Sequence, residues 1–279
     1  MTNIFLPTNV EYQPDAEDKN KGRVIVEPCY PGYGTTWGNA LRRVLLTSLE
    51  GAAVSAVKIK GVRYEFSTID HVQEDVLDII LNLKALRLRV FRQTDESIKL
   101  TLRASGEGKV LAGDIDKSAD VEIVNPDLFI ATLTDKRAKL EMELWVEKGY
   151  GWIPSEEKTR EGRDIGVIII DSVFSPVLKV AVGVENVRVG KRTDYDKLIL
   201  DIETDGSIPP LGAFLKAAKL LAEQFNNLTD LGEKMESEKE SVSPKSRQKG
   251  GKAKKAAAKA AKKSSKAVKK PAIKKRNKK

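Results

Sequence analysis

The sequence predicts an α+β protein with a disordered basic tail. Three observations carry that prediction. Apolar residues recur at helical spacing in three separated stretches, near residues 35–50, 72–84 and 209–228. Between the second and third stretches, alternating runs rich in Val, Ile and Leu recur with turn residues between them. After Lys245 the composition changes: residues 245–279 hold 17 Lys or Arg and no Asp or Glu. The chain has 279 residues, 49 of them basic and 40 acidic, for a formal net charge of +9. The residues before 245 therefore hold 32 basic against 40 acidic, a net of −8. Any attraction for nucleic acid belongs to the tail and not to the acidic body.

The elements follow in order. Gly22–Glu27 alternates as a strand ending at Pro28. The first helix begins after Gly32-Tyr33-Gly34, with Thr35 or Thr36 as candidate caps and Gly51 as the stop. Trp37, Ala40, Leu41, Val44, Leu45 and Ser48 share one face of it. Asn39, Arg42, Arg43 and Leu46 line up on another, either as ordinary solvated charges or as a second working face. Ala56–Lys60 and Val62–Phe66 alternate around Gly61 and read as a hairpin. Asp70 is a candidate cap for a second helix, in which Val72, Val76, Ile79, Ile80 and Leu83 share a face. Leu86–Phe91, Ser97–Leu102, Val121–Val124 and Lys139–Val146 read as strands of mixed or antiparallel sheets with one wet face. Residues 149–164 are polar and rich in breakers, which predicts a mobile loop. Val167–Val189 and Leu198–Thr204 return to strand patterning, the latter ending in a turn at Asp205-Gly206. Pro209-Pro210 opens the third helix. Its stripe of Leu211, Phe214, Leu215, Ala218, Leu221, Ala222, Phe225 and Leu228 fits a core face or a dimer seam.

Constellations for catalysis are scarce. The one histidine, His71, has no nucleophile elbow near it and reads as a solvated side chain. The one cysteine, Cys29, cannot form an intrachain disulfide and reads as a buried or idle thiol. Cys and His are too few for a zinc cluster, and no phosphate-cradling GxxxxGK[ST] or GxGxxG motif occurs. Glu74-Asp75 and Asp114/Asp116 are acidic pairs of the kind expected at helix starts and on solvated surfaces. The sequence thus offers no catalytic residue, no cofactor site and no metal site. No apolar run approaches a membrane span, and the N-terminus lacks the pattern of a secretory signal.

Four ordered motifs carry a family resemblance: Gly32–Val54 (GYGTTWGNALRRVLLTSLEGAAV), Val72–Lys84 (VQEDVLDIILNLK), Asp171–Pro176 (DSVFSP) and Arg192–Leu198 (RTDYDKL). Together they span roughly residues 20–232, and over that span the sequence resembles the bacterial-type RNA polymerase alpha subunit. The resemblance implies a discontinuous dimerisation domain, residues 1–52 and 176–232, made of helices on a sheet. A strand-rich domain, residues 53–175, would be inserted into it. It implies a homodimer whose seam uses Trp37, Leu41, Leu45, Phe214, Leu215, Ala218, Leu221 and Phe225. It implies beta and beta-prime as partners, touched through Arg43, Leu46 and Lys84. Magnesium is then expected in the catalytic partner, and a bacterial cytoplasmic location follows, with a plastid one less favoured.

The sequence departs from that family after about Leu231. Residues 233–279 read as a disordered linker and basic tail where most relatives of that kind carry a small helical DNA-binding domain. Lys254, Lys255, Lys262, Lys263, Lys269 and Lys270 are candidates for sequence-neutral contact with DNA phosphates. A free-standing dimeric nucleoid protein with such a tail is the rival reading, separated from the first by whether large subunits co-purify at high salt.

Overall fold

The computed structural model describes residues 6–92, 96–158 and 164–241. Fourteen strands and three α-helices are present among them. They are β1 (Asn9–Pro14), β2 (Lys21–Cys29), α1 (Tyr33–Thr47), β3 (Glu50–Ile59), α2 (Val76–Lys84), β4 (Leu88–Val90), β5 (Ile98–Ser105), β6 (Gly108–Leu111) and β7 (Val121–Ile123). Then follow β8 (Phe129–Leu133), β9 (Lys139–Tyr150), β10 (Trp152–Ile153), β11 (Val167–Ile169), β12 (Ser172–Val173), β13 (Val177–Val189), β14 (Arg192–Thr204) and α3 (Pro210–Ser241). The described residues up to Asn226 form one compact unit.

Within that unit two hydrophobic cores form. The smaller one draws on both ends of the unit. Its antiparallel sheet has the order β1-β2-β14-β13, so β2 pairs with a strand far downstream, Val24 opposite Leu200 and Val26 opposite Leu198. Those four side chains meet Leu41, Val44 and Leu45 of α1 and Ala213, Phe214 and Ala217 of α3. The contact between α1 and the sheet is close because Gly38 faces it. A Cβ there would lie 2.5 Å from Val182 Cγ1 and 2.9 Å from Leu198 Cδ1, so only glycine fits without displacement. Cys29 is fully buried in this core, and desolvation pushes its thiol pKa up, as expected of an idle thiol.

The larger core lies between β3 and β12. Its main sheet has the order β5-β9-β3-β4-β7, with β11 on β3, and β6 and β8 form a separate ribbon. Val76, Ile79, Ile80 and Leu83 of α2 are buried in it, at the predicted helical spacing. Along β9 the alternation is regular: Leu140, Met142, Leu144 and Val146 are buried and the residues between them are not.

Several local expectations are corrected. The helix caps are not those expected. Thr36 Oγ1 donates back to the Gly32 carbonyl, while the amides of Gly32 and Gly34 donate to the Asp196 carboxylate of β14. Asp75, not Asp70, caps α2, its carboxylate accepting from the Asp78 amide at 2.7 Å. Gly51 does not stop α1, which ends at Thr47. It lies in β3, where a Cβ would sit 1.8 Å from the Phe174 carbonyl oxygen. The hairpin around Gly61 is absent: β3 pairs instead with β9, β11 and β4, and residues 62–66 form no strand. The stretch from 149 contains the end of β9 and the short strand β10, so only part of it is loop. Finally, α3 runs to Ser241, so residues 233–241 are helical where a disordered linker was expected.

Candidate interaction surfaces

The first surface is the outer face of α1. The helix is anchored at its N-terminus by Asp196, whose carboxylate accepts from the Gly32 and Gly34 amides at 2.9 and 3.0 Å. A negative group there satisfies otherwise orphaned donors and complements the helix dipole. The Arg192–Leu198 motif is thereby explained in part. Asp196 caps α1, and the buried Tyr195 stands edge-on to Tyr30 at 6.3 Å. Tyr30 meets Tyr33, and Tyr33 meets Trp37 at 5.6 Å, in a chain of edge-to-face rings leading onto α1.

With one face of α1 fixed on the sheet, the other presents Asn39, Arg42 and Arg43 to solvent, beside the half-buried Leu46. Among the described residues, neither Arg42 nor Arg43 makes a side-chain hydrogen bond or ion pair. Arg23, Arg89 and Arg192 each hold a carboxylate. Two guanidinium forks beside an apolar side chain suit a protein partner that offers carboxylates or carbonyls.

At the C-terminal end of α1, a Cβ on Gly151 would lie 3.5 Å from the Thr47 carbonyl oxygen. Around it Tyr150, Trp152 and Val173 are 60%, 61% and 47% exposed, with Trp152 paired to Val173 across β10 and β12. Residues 149–164 read as a polar loop, which hides Tyr150 and Trp152. The available signal was a tyrosine and a tryptophan placed among glycines.

Lys84 is differently placed. Its ammonium lies 2.9 Å from Asp171, whose other oxygen accepts the Ser155 amide at 2.9 Å. The Ser155 amide first and the Lys84 ammonium second lower the Asp171 carboxyl to about 2. Next to it Lys158 donates to the Ile170 carbonyl and the Ser172 hydroxyl, both at 2.5 Å, and Ser172 donates to the Val54 carbonyl. The Asp171–Pro176 motif is therefore a latch across the larger core, and Lys84 is engaged within it.

The second surface is α3. Ala213, Phe214 and Ala217 are buried in the protomer, and Leu221 is half-buried there. Leu215 and Phe225 are 57% and 63% exposed. Farther along the helix Leu228, Leu231 and Met235 are also exposed. The expected seam residues thus divide. Leu45 is fully buried and Leu41 and Phe214 nearly so within their own chain, so these three leave little surface for a seam. Trp37, Leu215, Ala218, Leu221 and Phe225 retain surface for a partner. The tail lysines Lys254, Lys255, Lys262, Lys263, Lys269 and Lys270 lie outside the described residues.

Among the described residues no group of three or more His, Cys, Asp or Glu could hold a metal ion, and no helix is long and apolar enough to cross a membrane.

Comparison with known proteins adds the family. The sequence model described as "RNA polymerase Rpb3/RpoA insert domain" matches residues 57–175. The DNA-directed RNA polymerase subunit alpha of Symbiobacterium thermophilum is 52% identical over 224 residues, covering 79% of this chain and 70% of that protein. The subunit of the same description from Alkaliphilus oremlandii is 50% identical over 231 residues, covering 79% and 72%. That from Moorella thermoacetica is 51% identical over 221 residues, covering 79% and 70%.

Proposed function

The chain belongs to the bacterial DNA-directed RNA polymerase alpha-subunit family, and from that premise we propose that it dimerises and templates assembly of the two large catalytic subunits, beta and beta-prime. It is a component of a nucleotidyltransferase complex and works in transcription. The observation that carries the assembly role is the pair of guanidinium groups on α1 that make no ion pair among the described residues, held outward because Asp196 and Gly38 fix the opposite face to the sheet. The exposed apolar stripe of α3 supports self-association, since large apolar side chains left in solvent favour a partner. A two-fold dimer presents the same α1 face twice, once to each large subunit. Magnesium chemistry is assigned to those subunits. We place the complex in the bacterial cytoplasm, associated with the nucleoid. The basic residues of 245–279 are assigned sequence-neutral DNA contact on charge alone.

The experiment is capture of the large subunits by the Arg43→Ala dimer. If Arg43 is a hot spot, its loss weakens capture by about 2 kcal/mol or more and leaves the dimer intact. Recovery of both large subunits at wild-type level removes the assignment.

A further inference from the structure

The chain passes between the smaller and larger cores twice, at Leu49–Gly51 on the way out and Phe174–Pro176 on the way back. The two passages touch: the Phe174 carbonyl is what excludes a Cβ from Gly51. Any change in the angle between the cores has to be taken up at these two passages. A further contact joins the cores. Arg89, on β4 of the larger core, donates from Nε to the Ser207 carbonyl at 2.8 Å and from Nη2 to the Gly206 carbonyl at 2.9 Å. Its Nη1 is held by Glu122 at 3.0 Å, which orients the fork.

The turn that receives Arg89 is itself braced. Gly206 has φ +90, the left-handed region, and its α-carbon faces Val124, just past β7, so closely that a Cβ would lie 3.0 Å from Val124 Cγ1. Ser207 donates through its amide and its hydroxyl to Asp205, and the Asp205 amide donates to the Pro176 carbonyl at 3.0 Å. Pro210, the first residue of α3, lies three residues after Ser207. The contact therefore reaches from the sheet of the larger core to the root of the helix assigned to the dimer.

We propose that Arg89 is a positioning residue, which fixes the larger core at a set angle to α3 and so aligns the two parts of the surface that a large subunit must meet. The α1 face is in the smaller core, while Tyr150 ends β9 of the larger sheet and Trp152 lies in the adjoining β10–β12 ribbon. A rigid partner spanning both needs them preset, since binding to a mobile pair costs ordering free energy. This inference rests on the assembly reading for its consequence, but not for its geometry.

The test uses the full chain with Glu107→Cys and Lys216→Cys spin-labelled, diluted with unlabelled copies so that distances come from one protomer. Wild type gives a narrow distance distribution. Arg89→Gln broadens it, while Glu122→Gln, which keeps both carbonyl contacts, leaves it narrow. Arg89→Met, which keeps the aliphatic stem, broadens it too and guards against a folding artefact in either variant. Capture of the large subunits by Arg89→Gln falls by about tenfold, with dimerisation unchanged. A distribution as narrow in Arg89→Gln and Arg89→Met as in wild type overturns the proposal. A broadened distribution with wild-type capture overturns its link to assembly. If Arg43→Ala captures normally while Arg89→Gln broadens and weakens, the α1 assignment fails and the positioning role stands.

Discussion

At the scale of the residue, Asp171 shows how a motif recognised in sequence turns out to be structural. Its carboxylate accepts the Ser155 amide and the Lys84 ammonium, and its pKa falls from the ordinary 3.8 to about 2. A depressed folded pKa stabilises the fold above the unfolded pKa, and that stability is lost as pH falls through the folded value. The window is therefore about pH 4 down to about 2. Both side chains are about one-third exposed, so solvent screening reduces the contribution to about 1 kcal/mol. Asp171→Asn should lower stability at pH 7 by about that amount and flatten the difference between the proteins near pH 2. Urea melts of both proteins across this range check it, and a constant difference at all pH values contradicts it. Lys84 illustrates the limit of reading function from a motif. A lysine at a helix end can serve a partner or a neighbour, and only the fold reveals that Asp171, distant in sequence, is the neighbour.

At the scale of the element, α1 and α3 were legible as helices because their apolar spacing is strong and their starts carry glycine or proline. Their caps were not. Asp196 reaches α1 from a strand that follows the inserted block, and no local rule can name a cap supplied by tertiary structure. The strand β1 was missed because almost all of its residues are exposed, leaving no alternation to read. The false hairpin at Gly61 arose from correct alternation in β3 paired with the wrong neighbour; sequence does not say which of several strands is adjacent. The α3 stripe divides for the same reason: Phe214 faces its own sheet while Phe225 is exposed. Exposure separates these roles in a test. Phe225→Glu should leave the protomer folded and dissociate the dimer, because a dimer would bury the charge unpaired, at about 3–5 kcal/mol. Leu45→Glu, at a fully buried site, should prevent the smaller core from forming. Sedimentation with circular dichroism distinguishes these outcomes, and an intact Phe225→Glu dimer would move the seam elsewhere.

At the scale of the whole molecule, an acidic body and a polycationic tail share one chain. The tail offers phosphate contacts without a fixed set of base-edge donors, so it should bind duplexes of unrelated sequence alike and lose affinity steeply with salt. Deleting 245–279 should weaken DNA binding most at low salt, by a similar factor on two unrelated duplexes, and leave the dimer and subunit capture unchanged. A contribution that survived high salt or favoured one duplex would contradict this. The central claim, however, concerns assembly by the body: a symmetric dimer offers two copies of one α1 face to two different large proteins. The most direct measurement is the native mass of the complex that this chain retains through purification at high salt, where tail-mediated DNA contacts are screened. Two copies of this chain with one each of two large subunits are expected, with the Arg43→Ala chain recovered as a dimer depleted of them. A wild-type dimer that retains no large subunit at high salt, or only DNA at low salt, would contradict it.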